Sequence, residues 1–190
     1  MEPSDEVLCE RVAAGDEAAF ERLVERYQQR AFRLAWSVLR EPDGARDVSQ
    51  EAFIRLFQSA GSFAGRARFS TWFYRLVVNL ALDHRRKHRW WRQIFSREER
   101  ADEDGLGLED HAAPIDDPAE AIDRERALAD VWAAAERLSP QQRAALMLQA
   151  QDDLSTKDIA IVLGCSEATA RVHLHRALST LRRTLRKERT

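Results

Sequence analysis

The chain has 190 residues, 44% of them hydrophobic and 33% charged, the balance of a soluble, folded, helix-rich protein rather than a disordered one. No apolar run approaches the roughly 20 residues that span a bilayer, and the acidic start Met1-Glu2-Pro3-Ser4-Asp5-Glu6 lacks the basic-then-apolar layout of a signal peptide. A cytoplasmic protein without membrane insertion is expected. Cys9 and Cys165 stand far apart in no ligand-like cluster, which argues against disulfides and structural zinc.

The net charge of −2 conceals a segregation. Residues 97–120 carry ten acids against Arg97 and Arg100, a local charge of −8 that leaves +6 for the rest. Residues 84–92 hold Arg85, Arg86, Lys87, Arg89 and Arg92 with no acid, and residues 171–190 hold seven Arg/Lys against Glu188. Two basic patches divided by an acidic segment suit two nucleic-acid-facing modules and a linker, although solvated helix faces would also produce them.

In chain order, Asp16 is placed to cap a long helix with Phe20, Leu23, Val24, Tyr27, Ala31, Leu34, Ala35 and Val38 in steps of three and four. Pro42-Asp43-Gly44 breaks it. A second helix puts Val48, Ala52, Phe53, Leu56 and Phe57 on one face and ends near Gly61. Residues 61–69 read as a polar, basic loop between Phe63 and Phe69. Ser70 or Thr71 starts a third helix, buried through Phe73, Leu76, Val77, Leu80 and Ala81. The acidic stretch, with Gly105, Gly107, Pro114 and Pro118, shows little periodicity. Helix resumes with Leu128, Val131, Trp132, Ala135 and Leu138, and Ser139-Pro140 opens the next, with proline in its first turn. The expected fold is all-α: two small helical domains, residues 1–92 and 120–190, joined by an acidic flexible linker over 93–119, the second containing a helix-turn-helix.

That helix-turn-helix lies in residues 154–172. Ser155 with Asp158 reads as a capping box, Ala160 allows close helix crossing, and Gly164 supplies the left-handed turn. Ser166 caps the following helix, whose buried stripe is Ala170, Leu174, Leu178, Leu181 and Leu185. Thr169, Arg171, Val172, His175 and Arg176 face the other way, as base-reading residues of a recognition helix do. Cys165 reads as core. His173 and His175 diverge by about 200° on a helix and make no metal site.

On the third helix Trp72, Arg75, Asn79, Asp83 and Arg86 recur at steps of three and four opposite the buried stripe. An aromatic, an amide and basic groups beside an aromatic-rich loop suit unpaired bases, though an ordinary amphipathic helix shares that pattern. Three sets of residues then align with a known family: Asp47-Val48-Ser49-Gln50-Glu51-Ala52-Phe53; Phe69-Ser70-Thr71-Trp72-Phe73-Tyr74-Arg75-Leu76 with Asn79-Leu80-Ala81-Leu82-Asp83; and Leu138-Ser139-Pro140 with the helix-turn-helix ending His173-Leu174-His175-Arg176-Ala177. In this order and spacing the chain resembles the extracytoplasmic-function (ECF) group of bacterial RNA polymerase sigma factors over nearly its whole length.

The resemblance implies a sigma factor that binds core RNA polymerase, recognises −35 and −10 promoter elements and promotes strand opening, with no catalytic role and no cofactor. It places Asp47, Gln50 and Glu51 against a coiled coil of the largest polymerase subunit. It places Phe63, Arg66, Phe69, Trp72, Arg75, Asn79, Asp83 and Arg86 on the −10 element, and Ser166, Thr169, Arg171, Val172, His175 and Arg176 on the −35 element. Promoter DNA, duplex and melted, and an anti-sigma factor are the other implied partners. The acidic segment resembles the linker that threads through polymerase toward its active centre. Gln149, Val172 and His173 depart from the family's usual residues, and the Trp90-Trp91 pair has no family role. The competing readings are a helix-turn-helix regulator acting independently of core polymerase, which leaves the first ninety residues unused, and a metal-dependent hydrolase using Asp83-His84 and His88, whose segment lacks the glutamate and third ligand of a metal site.

Overall fold

The computed structural model describes residues 2–95, 134–152 and 154–188, and every regular element among them is helical. A first group comprises α1 (Asp5–Ala13), α2 (Glu17–Leu39), α3 (Pro42–Ser59) and α4 (Phe69–Phe95), with a 3-10 turn at Ala60–Ser62. A second comprises α5 (Pro140–Asp152), α6 (Thr156–Leu163) and α7 (Glu167–Glu188). The acidic segment, with the expected helix positions Leu128, Val131 and Trp132, lies outside the described residues.

Local chemistry accounts for most boundaries. The Ser4 hydroxyl accepts from the Val7 N–H at 3.4 Å, and Asp16 accepts from the Ala19 N–H at 3.0 Å, each satisfying a donor that a helix start leaves open. Helix α1 is absent from the sequence expectation, because its nine residues hold only Leu8, Cys9 and Val12 as a buried face. Helix α2 ends on Arg40, whose φ of 61° is left-handed and whose N–H reaches Trp36 O at 2.8 Å. This non-glycine conformation costs roughly 1–2 kcal/mol. Its guanidinium lies 3.9 Å from the Trp36 ring centroid and pairs with Glu136 at 3.3 Å, which offsets the strain. Pro42-Asp43-Gly44, read as a break, forms the first turn of α3, where a proline loses no hydrogen bond. Helix α4 continues through Phe95, three residues into the segment read as linker.

An aromatic cluster holds the first group together. Tyr27 of α2 meets Phe69, Phe73 and Tyr74 of α4 at centroid separations of 5.2, 5.5 and 5.9 Å, and Phe69 stacks on Phe73 at 5.8 Å. Phe69, Phe73 and Tyr74 are fully buried, with Val77, Val78 and Ala81 continuing the same face. Two expected core positions differ. Phe57 is 49% exposed, and Leu178 is 37% exposed, because the buried side of α7 turns through Ala170, Leu174, Ala177 and Thr184.

The two groups share one continuous apolar core: α5 packs on α2 and α6 on α4. Arg143 of α5 sits at that junction. Its Nε donates to Ser37 O at 2.5 Å, its Nη2 to Val38 O at 3.3 Å and its Nη1 to Leu138 O at 2.7 Å. All three bonds go to backbone carbonyls. The C-terminal carbonyls of α2, which carry the negative end of the helix dipole, receive the charge. Burial, with Arg40 and Arg85 nearby, lowers the guanidinium pKa to about 10, so it stays charged at neutral pH. Arg143→Ala is expected to lower the unfolding free energy by about 2 kcal/mol, since buried carbonyls lose their donor. Arg143→Lys should recover little, a single ammonium being unable to serve three divergent carbonyls. Urea unfolding curves measure both; an unchanged midpoint for Arg143→Ala would mean that the junction is not held this way.

Candidate nucleic-acid interface

Helix α4 carries two opposed faces. Its buried side is the aromatic and aliphatic row just described; its outer side presents Arg75, Asn79, Asp83 and Arg86, all exposed, with Trp72 half-buried at the head of the row. Asp83 and Arg86 form an ion pair one turn apart, both largely exposed to solvent. Such a pair contributes little to stability and exchanges readily for a charged ligand.

The loop before α4 folds back on it. Phe63 packs on Trp72 at 5.4 Å and on Phe69 at 6.0 Å, while Gly65 adopts φ +64° and leaves Arg66 exposed. Here the sequence expectation needs one correction. Phe69 has no exposed surface and belongs to the core, so it cannot touch DNA. Its backbone N–H donates to the Glu6 carboxylate of α1 at 3.1 Å, and that bond is the main cause holding the Glu6 pKa below its usual value. An anion at the start of α4 also suits the helix dipole. Glu6 therefore anchors the end of α4 that displays Trp72, a role that no local motif announces.

A cleft of about 510 Å³ opens between this row and the start of α5, lined by Asn79, Asp83, Arg85, Arg86 and Arg89 on one side and by Pro140 and Gln141 on the other. Three arginines against Asp83 alone make it basic. Among the described residues no group of three or more His, Cys, Asp or Glu side chains is arranged to hold a metal ion. His84 and His88 lie parallel, 6.2 Å apart, without a third donor.

On α3, Asp47 and Gln50 are exposed, and Glu51 is partly buried and paired with Arg55 at 2.8 Å. The same side shows Ile54, 51% exposed, and Phe57. These two apolar groups were missed as surface residues, although Ile54 stands three and four positions beyond Glu51 and Gln50, the spacing of one helix face.

The second group builds a helix-turn-helix. Ser155 accepts from the Asp158 N–H at 3.2 Å and donates to its carboxylate at 2.5 Å; Gly164 has φ +64°; Ser166 accepts from the Thr169 N–H at 3.1 Å. Ala170, Leu174 and Ala177 are buried, which turns Thr169, Arg171, Val172, His175 and Arg176 to solvent together. Arg171 pairs with Glu167 at 2.8 Å, and Ser166 Oγ lies 2.8 Å from Thr169 Oγ1. Cys165 is partly buried against the core, and burial raises its thiol pKa. No helix among the described residues is long and apolar enough to cross a membrane.

Comparisons with known proteins agree with this geometry. The family described as Sigma-70 region 2 matches residues 23–91, and Sigma-70 region 4 matches residues 128–181. The chain is 33% identical to the RNA polymerase sigma-H factor of Pseudomonas aeruginosa, over 95% of this chain and 93% of that one. It is 32% identical to the ECF RNA polymerase sigma-E factor of Escherichia coli, over 92% and 90%. Its fold is similar to that of CnrH solved with the cytosolic domain of CnrY (TM-score 0.65, 20% identity, 97% and 99% covered). It is also similar to the sigma factor RpoE of Bartonella quintana solved with the anti-sigma factor NepR (TM-score 0.71, 20% identity, 88% and 96% covered). Similarity of this extent, over both helical groups and in the same order, means that the chain belongs to the ECF group of RNA polymerase sigma factors.

Proposed function

We propose that this chain is a promoter-recognition subunit that docks on core RNA polymerase, reads the −35 and −10 elements and helps open the DNA, acting as a binding factor without a catalytic centre. One observation carries the reading. A single helix, α4, is locked by aromatics on one side and lines up Trp72, Arg75, Asn79, Asp83 and Arg86 on the other, in the same chain as a helix-turn-helix. Residues 1–92 serve core polymerase and the −10 element, residues 120–190 the −35 element, and the acidic segment between them enters a basic polymerase channel. The setting is the cytoplasm, and an anti-sigma factor is a further partner.

The α3 face supplies the polymerase contact. Asp47, Gln50 and Glu51 form a polar rim beside Ile54 and Phe57, the apolar-centre, polar-edge layout of a protein interface. The expected partner is the coiled coil of the largest subunit. Replacing Asp47 and Glu51 together with arginine is expected to weaken core binding at least tenfold with unchanged helix content, the charge reversal acting across the rim. Pull-down and circular dichroism measure the two effects, and undiminished binding by a folded double variant counts against this face.

The −10 and −35 contacts separate by variant. Asn79 offers an amide about two helical turns along the same face from the Phe63–Trp72 pair, so a base that has left the stack finds a π-face and hydrogen bonds on one track. Asn79→Ala is expected to leave recruitment to −35 duplex intact while depressing open-complex formation, read as permanganate reactivity of melted thymines. Arg176→Ala is expected to cost about 1–3 kcal/mol of promoter binding and to relax preference at one −35 position. Normal melting in the first variant, or unaltered sequence preference in the second, would remove that residue from the site.

A further inference from the structure

Neither the −10 row nor the polymerase face uses Trp90, yet its position on α4 is specific. Helix α4 is one unbroken element of 27 residues. Trp90 stands eighteen residues after Trp72, five turns at 3.6 residues per turn, so the two indoles share one azimuth about 27 Å apart along the axis. Asn79, Asp83 and Arg86 lie within roughly 40° of that line, whereas Trp91 lies about 100° round the helix. Trp90 therefore continues the row that begins with Trp72. Its side chain is 56% exposed, far more than an indole of this size normally shows, and it meets the Trp91 ring edge-to-face at 5.4 Å.

The charge around it selects the partner. Arg85, Arg86, Lys87 and Arg89 occupy the turns beneath Trp90, with no acid after Asp83 in that part of α4. An indole among cations suits a polyanion with stackable or packable sugars and bases better than an acidic or apolar protein surface, which would call for a larger apolar patch. We propose that Trp90, backed by Arg86 and Arg89, is a further DNA-contact site that packs on promoter DNA flanking the −10 element. At a rise of about 3.4 Å per base pair, the ~27 Å separation along α4 puts it at most roughly eight base pairs from the base held near Trp72. The residue lengthens the DNA track of α4 and stabilises the promoter complex without reading the −10 element. The proposal rests on the assignment of α4 to promoter DNA.

The test uses holoenzyme assembled from core polymerase and the full chain on a promoter fragment. A benzophenone amino acid at position 90 is expected to crosslink to DNA within about eight base pairs of the base held near Trp72. Trp90→Ala is expected to shorten the promoter-complex half-life roughly tenfold, while Trp90→Phe, which keeps a ring, stays within about threefold of the parent. Affinity for core enzyme is expected to be unchanged in both. Crosslinks to polymerase subunits alone, loss of core affinity in Trp90→Ala, or an unchanged half-life would each overturn the proposal. Asn79→Ala run in parallel keeps the two claims apart: if it impairs opening while Trp90→Ala has no effect, only the flanking contact falls; if neither has an effect, the assignment of α4 to DNA falls too.

Discussion

The packing of α4 against α2 is the contact from which the rest of the first group takes its position. Tyr27 touches three buried aromatics of α4, and Phe69, Phe73 and Tyr74 each bury essentially their whole side chain. At about 1.5–3 kcal/mol for each large side chain buried, this cluster fixes the rotation of α4 about its axis as well as its place. Rotation is what matters for function. A turn of one residue, about 100°, would carry Asn79 into the buried place of Val78 and Arg75 into that of Tyr74. Glu6, bonded to the first N–H of α4, pins the same helix at its start. The exposed row is a consequence of how well the opposite side is filled.

Arg143 sets the second constraint, by tying the two helical groups into one core. In that arrangement α6 lies on α4 and α7 on α6, so the axes of α4 and α7, the two helices proposed to face DNA, stand within about 20 Å, two helix-packing distances. Elements named −35 and −10 are separated by roughly 25 base pairs, about 85 Å of duplex at 3.4 Å per step. Reading both at once in the proposed way would require the two groups to part at the Arg143 junction. The 38 residues between Phe95 and Ala134 can span up to roughly 125 Å when extended, so the covalent connection permits it. In the shared-core arrangement the cleft beside Asn79 is partly walled by Pro140 and Gln141.

Much of this was legible in the sequence, for identifiable reasons. The long apolar periodicity of α2, the Ser155–Asp158 cap, Gly164 and the Ser166 cap are local signals, and local signals survive without tertiary information. What failed depended on partners distant in sequence. Phe69 flanks a basic loop and so looked DNA-facing, but it is the first residue of α4 and points into Tyr27. Leu178 fits a heptad-like stripe, yet the buried side of α7 passes through Ala177 and Thr184. Phe57 and Ile54 are apolar and still exposed, as an interface residue is and a core residue is not. Arg143 is an ordinary helix arginine by sequence; only the carbonyls of Ser37 and Val38, over a hundred positions away, give it a role.

The central claim is that one chain confers promoter choice on core polymerase through two DNA-facing helices. Run-off transcription on a library of randomised promoter fragments tests it most directly, with the purified chain and core enzyme supplied together and separately. Motif-directed transcripts are expected only from the mixture, starting downstream of two short motifs held at one fixed spacing, while core enzyme alone initiates without preference. Tight, sequence-specific duplex binding by the chain alone, together with no change in where core polymerase starts, would contradict it and identify a helix-turn-helix regulator that acts independently of polymerase.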